Sequence, residues 1–225
     1  MGATQTAWLQ QQLTESTATW QILGQQILMG RMDIPAPILV ETITPGAGVS
    51  VSQYSAIVAK ARTAPATLTA AEQYILSQPA IPYNLDAWDG YYVARETVLG
   101  TARALQKNLV VLSGDTHNAW ANELNDRHGN AVGVEFATSS VTSPGFEEYL
   151  PNENPVVLAG ALQQLISPLK YCDTSRRGYM VVTATPEACQ ADWVYVDNIE
   201  SRNFTASTDK SLKVLAGTAG RIVAA

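Results

Sequence analysis

Apolar residues recur along this chain at helical spacing in some stretches and in short runs in others, and these two patterns predict most of its elements. Trp8, Leu9 and Leu13 return at helical spacing behind Thr4, a residue suited to an N-cap, so a short helix to about Glu15 is expected. The run from Trp20 to Met29 is mostly apolar and reads as a strand covered on both faces. Residues 30–50 hold three prolines and three glycines and read as an irregular excursion. Helical spacing returns over residues 52–62 and 69–78. The second of these opens on Thr69-Ala70-Ala71-Glu72, in which Glu72 can reach back to the amide of its cap. Residues 82–90 form a turn-rich entry to a helix from about Tyr91 to Gln106.

Leu109 to Ser113 is a β-branched and apolar run that stops at Gly114, the pattern of a central strand buried on both faces. Residues 131–137 read as a further strand, followed by a Ser/Thr-rich stretch and a helix over 155–166. Strands over 178–185 and 192–199 are joined by a turn that begins at Pro186 and Glu187, which predicts an antiparallel pair. From Ser201 onward the chain reads as an irregular tail. The order of elements favours a layered α/β architecture. No linker divides the 225 residues into separate domains.

Composition narrows the function. At 46% hydrophobic and 15% charged residues, the chain has the profile of a packed globular protein. A net charge of −6 repels a polyanionic backbone and argues against general nucleic-acid binding. It is compatible with a small phosphate ester, because a bound metal reverses the local field. No uncharged apolar run reaches the roughly 18 residues of a membrane span. Met1 to Thr4 carries neither the basic nor the apolar region of a signal peptide. Cys172 and Cys189 lack metal-type spacing; two ordinary thiols are expected, with a single disulfide as the alternative.

The candidate chemistry gathers where the apolar run ends. Asp115 and His117 follow Gly114 at once, and ligands of α/β sheets bind beyond the carboxyl ends of strands. An Asp oxygen with a His nitrogen suits Zn, Fe or Mn. The competing reading is a solvated Asp beside a packed His. His128 lies in a stretch of hairpin-turn composition and reads as a surface residue. Asp86 and Asp89 flank Trp88 at a helix start, where a carboxylate caps the helix; Asp89 positioning a metal ligand or a phosphate is the other reading. The hydroxyls of Phe136 to Gly145 line either a polar pocket or, the favoured reading, ordinary turns. Gly-x-Ser-x-Gly, Gly-x-x-x-x-Gly-Lys and Gly-x-Gly-x-x-Gly patterns are all missing.

Leu112-Ser-Gly-Asp-Thr-His-Asn-Ala-Trp120 resembles the late metal-binding block of PhoD-like (alkaline phosphatase D) phosphatases. Four further segments, in the right order, resemble that family. They are Gln5 to Gln26 with Trp8 and Trp20, Trp88-Asp-Gly-Tyr91 with Arg95, Phe136 to Gly145, and Arg177-Gly-Tyr179 with Trp193 to Asp197. The resemblance implies the C-terminal half of a calcineurin-like α/β sandwich with four layers, α/β/β/α. It implies metal ligands at Asp115, His117 and Asp89, catalysis through Asp115 and His117, and substrate contacts from Asn118 and Arg95. Calcium and iron are the implied metals, with zinc or manganese as alternatives. The implied reaction is hydrolysis of phosphate mono- or diesters by an exported, periplasmic or secreted enzyme.

The family's early metal ligands belong upstream of the segment that begins here at Thr4, and no substitute is found. A chain with only the late block is expected to be nearly inactive by itself, poorly soluble, and completed by an N-terminal half. The alternatives are a non-catalytic metal- or phosphate-binding protein, or one half of a split enzyme.

Overall fold

The structure is a computed structural model that describes residues 1–218 and 220–225. A helix, α1 (Ala3–Glu15), leads into strand β1 (Trp20–Gly24). A two-stranded ribbon of β2 (Asp33–Pro35) and β3 (Ala80–Pro82) encloses α2 (Ala36–Ile43), α3 (Val51–Thr63) and α4 (Ala70–Ser77). Helix α5 (Tyr92–Ala104) then precedes three strands, β4 (Asn108–Ser113), β5 (Ala119–Asn125) and β6 (Ala131–Ala137). After α6 (Phe146–Tyr149) and α7 (Pro155–Leu165) come β7 (Leu169–Asp173), β8 (Gly178–Ala184), β9 (Ala188–Val196), β10 (Ala206–Leu215) and β11 (Ile222–Ala224).

Five strands form a mixed sheet in the order β1-β4-β6-β5-β7, and four form an antiparallel sheet in the order β11-β10-β9-β8. Alternation along each strand divides the core. Val110, Ala119, Ala121, Val134 and Phe136 face the second sheet and pack on Cys189, Ala191, Trp193, Leu212 and Val214. On the other face, Leu109, Val111 and Leu124 meet α1 and α5, while Trp120, Ala137 and Cys172 meet α2, α3 and α7. The result is three layers: helices, the mixed sheet, and the antiparallel sheet. Tyr179 and Val181, on the outer face of the antiparallel sheet, are each 45% exposed. Among the described residues no second helix layer covers them, so the fourth layer of the expected sandwich is not seen.

Several elements differ from the sequence reading. The apolar run after Trp20 pairs only as far as Gly24; Leu28, Met29 and Met32 are buried as a loop wedged against the sheet. β1 is an edge strand, with Ile22 46% exposed, rather than a strand covered on both faces. The stretch 30–50 contains α2, because Pro37 falls in the first turn, where a missing N–H costs nothing. Thr4 lies inside α1, whose cap is Gly2. The expected irregular tail from 201 is largely ordered as β10 and β11, with only Leu212 and Val214 of β10 turned into the core. The two thiols lie in different cores, and both are free.

Candidate functional site

β1, β4 and β6 run parallel, so the loops that follow them leave the sheet at one end. Loop 114–118 carries the first two candidates. Asp115 and His117 both adopt left-handed backbone, at φ 64° and 60°. That conformation is costly for most residues with a Cβ, though Asp and His adopt it more readily than others, so the contacts around the loop must hold it. The loop is fixed from several sides. Gly114 N–H donates to Gln26 O at 3.1 Å, Trp120 Nε1 donates to Thr116 Oγ1 at 2.8 Å, and Ser140 N–H donates to His117 O at 3.3 Å.

His117 is half-buried, and its Nδ1 lies 3.0 Å from Pro144 O. A carbonyl only accepts, so Nδ1 carries a proton, and in the neutral ring the Nε2 lone pair is then the free one. This is the arrangement in which imidazoles ligate metals. The Asp115 side chain is exposed and takes no hydrogen bond from any described residue. Tyr83 lies close enough that burial, helped by the Asp115 charge, pushes its phenol up. Its ring packs edge-on against Phe146 at 5.8 Å.

The remaining candidates are spent on bracing. Asn118 is buried, gives its amide N–H to Thr116 O at 2.7 Å and accepts the Phe146 N–H at 3.0 Å. Arg95 is 1% exposed; its Nε donates to Met29 O at 2.8 Å and its Nη1 to Glu96 and to Asn125 O. Through Nε and Nη1 the guanidinium is thus engaged beneath loop 25–32. Asp89 caps no helix. Its Oδ2 accepts the Met32 N–H at 2.9 Å, and burial pushes its carboxyl up against that bond. His128 is exposed on its turn, where Nε2 accepts from Arg127. The Ser/Thr stretch does make turns: Ser140 Oγ accepts from the N–H groups of Thr142 and Ser143.

Glu135 was not singled out in the sequence, although a carboxylate inside Ala-Val-Gly-Val-Glu-Phe-Ala was a signal. It is fully buried between the two helix-side cores. Oε1 accepts from Met29 N–H at 2.6 Å and Ser113 Oγ at 2.9 Å; Oε2 accepts from Gly30 N–H at 2.8 Å and Asn122 Nδ2 at 3.1 Å. Burial pushes its carboxyl up, and the four donors resist. A Cβ at Gly30 would meet the Asn122 side chain at 2.6 Å, so only glycine lets the loop reach this carboxylate. Glu135, Arg95 and Asp89 together pin the loop that shares the sheet end with Asp115 and His117.

An imidazole nitrogen and a free carboxylate suit one side of a Zn, Mn or Fe site. They do not complete one: among the described residues, no three His, Cys, Asp or Glu side chains come together as a metal-holding group. A cleft of about 660 Å³, lined by Trp8, Gln25, Gln26, Asp86, Trp88 and Tyr91, opens beside loop 24–27 and includes neither Asp115 nor His117.

A family model described as PhoD-like phosphatase matches residues 1–193. The chain is similar to alkaline phosphatase D of Bacillus subtilis (strain 168), with 26% identity over 218 residues, which take in 94% of this chain and 29% of that protein. It is also similar to a solved structure described as "Structure of PhoD", with a TM-score of 0.66 and 23% identity, over 99% of this chain and 35% of that one. At that identity the likeness speaks for the fold. The chain therefore spans 29% to 35% of the length of these two relatives. Among the described residues, no helix is long and apolar enough to cross a membrane.

Proposed function

The chain belongs to the PhoD-like phosphatase family, and we propose that it supplies the late metal-binding block of a metal-dependent enzyme that hydrolyses phosphate mono- or diesters. One observation carries this reading. His117 gives its Nδ1 proton to a backbone carbonyl and keeps Nε2 free, two residues from an unencumbered Asp115, at the carboxyl end of a parallel strand. His117 Nε2 and an Asp115 oxygen would hold the metal, calcium with iron by family resemblance and zinc or manganese as alternatives. Once bound, such a metal polarises phosphoryl oxygens and lowers the pKa of an attacking water. The chain's own part is to hold that nitrogen and that oxygen in a rigid loop. Asn118 would act by bracing the loop rather than by touching the ester, and Arg95 and Asp89 by bracing the neighbouring one. Further ligands would come from a complementing N-terminal half, and export to the periplasm or medium follows from the same resemblance.

Turnover of p-nitrophenyl phosphate and bis-p-nitrophenyl phosphate, with added Ca²⁺, Fe³⁺ or Zn²⁺, should stay at background for the chain alone. It should appear when the chain is joined to the portion of the Bacillus subtilis relative outside the matched region, and vanish again with His117→Ala. Robust turnover by the isolated chain that His117→Ala abolishes would overturn the need for a complement. The second reading, a non-catalytic metal-binding protein, is favoured by the incomplete donor set. It predicts Zn²⁺ binding through His117 with no turnover in either form.

A further inference from the structure

The carbonyl that holds His117 belongs to a loop clamped from two sides. On one side stands Asn118, which takes the Phe146 N–H on Oδ1 at 3.0 Å. On the other, Glu147 Oε1 accepts the Gly145 N–H at 3.2 Å and Arg177 Nη2 at 2.5 Å. Arg177 is in turn tied to Ser175 O at the entry to β8. The fit is close: a Cβ on Gly145 would meet Asn118 Oδ1 at 2.4 Å and Thr174 O at 2.6 Å. The Glu147 and Arg177 side chains are 27% and 16% exposed, more sheltered than a surface pair.

We infer that Glu147 and Arg177 are positioning residues for His117: by holding Gly145 they aim the Pro144 carbonyl at Nδ1, which fixes the Nδ1–H tautomer and keeps Nε2 as the free donor. The consequence for a metal rests on the reading of His117 given above; the consequence for the tautomer does not. The logic is mechanical. Pro144 has no N–H of its own, so the peptide before it offers no donor, and its carbonyl is anchored through the peptide it shares with Gly145. The Gly145 N–H belongs to the same peptide plane as the Pro144 carbonyl, and Glu147 grips that plane from the opposite edge. Arg177 keeps Glu147 from swinging out to water. Outer partners of this kind orient imidazole ligands.

Long-range proton–nitrogen spectra of the metal-free chain read the tautomer of each imidazole, and His128 provides an in-sample reference. At a pH where the ring is neutral, His117 of the wild type should be held as Nδ1–H. Glu147→Ala and Arg177→Met should let the Nε2–H form appear and weaken Zn²⁺ binding about ten-fold, while far-ultraviolet circular dichroism is unchanged. Glu147→Gln, which keeps an acceptor for Gly145, should restore most of the wild-type spectrum. A chain held as Nδ1–H that takes no Zn²⁺ on His117 would overturn the metal reading and leave the positioning role standing. Should Arg177→Met fold poorly, Glu147→Ala decides alone. An unchanged His117 spectrum in a folded Glu147→Ala variant overturns the inference.

Discussion

Each oxygen of the Glu135 carboxylate accepts two donors, so a glutamine there turns an NH₂ group toward a backbone N–H that has no other partner among the described residues. Glu135→Gln should lower stability by roughly 2–4 kcal/mol, read from urea unfolding; a change within error would mean that loop 28–30 is held by packing alone. Glu72 shows the opposite environment. It is half-buried at the surface, and hydrogen bonds from Lys60, then from Thr69, hold its carboxyl down to about 2 from 4.5. Because the folded value is depressed, its contribution is complete above 4.5 and is lost as pH falls through about 2. Carbon-detected titration should find that midpoint, and Lys60→Met should return it toward 4.5. The Thr69–Glu72 cap was legible because its partners are three residues apart. Asp115 and His117 were legible because a run of apolar residues stops at a glycine just before them. Pro144, Glu147 and Arg177 were not, because their meeting with His117 depends on contacts 27 to 30 residues apart along the chain.

Among the described residues, strand β1 is paired on one side only, to β4, in parallel. Its other edge presents free backbone groups beside Ile22 and the 57% exposed Trp8, the combination that recruits another strand. The isolated chain should therefore self-associate at micromolar concentration. Ile22→Lys should reduce light scattering without changing the circular dichroism spectrum, and equal scattering from both forms would place the sticky surface elsewhere. Sequence showed that a strand begins at Trp20 but not where it ends. An unbroken apolar run does not tell a strand from a loop whose side chains fill a core, as Leu28 and Met29 do. β10 was hidden for the converse reason: its first half, Ala-Ser-Thr-Asp-Lys, is exposed on both faces until the shift between Thr208 and Lys210, and only Leu212 and Val214 alternate inward.

For the whole molecule, the seam between the two sheets is organised on Trp193. Its ring is fully buried, stands edge-on to Phe136 at 5.7 Å and lies 5.0 Å from Tyr171, and its Nε1 donates to Ala137 O at 2.9 Å. Trp193→Ala should cost roughly 3–5 kcal/mol and flatten the near-ultraviolet circular dichroism spectrum; retention of that spectrum would show that the sheets stay docked without it. The layered α/β character was legible in the order of elements. The size of the second sheet was not, since half of it came from a stretch too polar to read as strand. That stretch is also made late. Leu212 and Val214 complete the seam, yet they are synthesised after every strand of the mixed sheet. A chain growing on the ribosome thus lacks the β9 side chains that cover Phe136 until roughly fifty more residues are added, and lacks Leu212 and Val214 for longer still, an interval on the order of ten seconds. That interval is when a chaperone has the most apolar surface to shield.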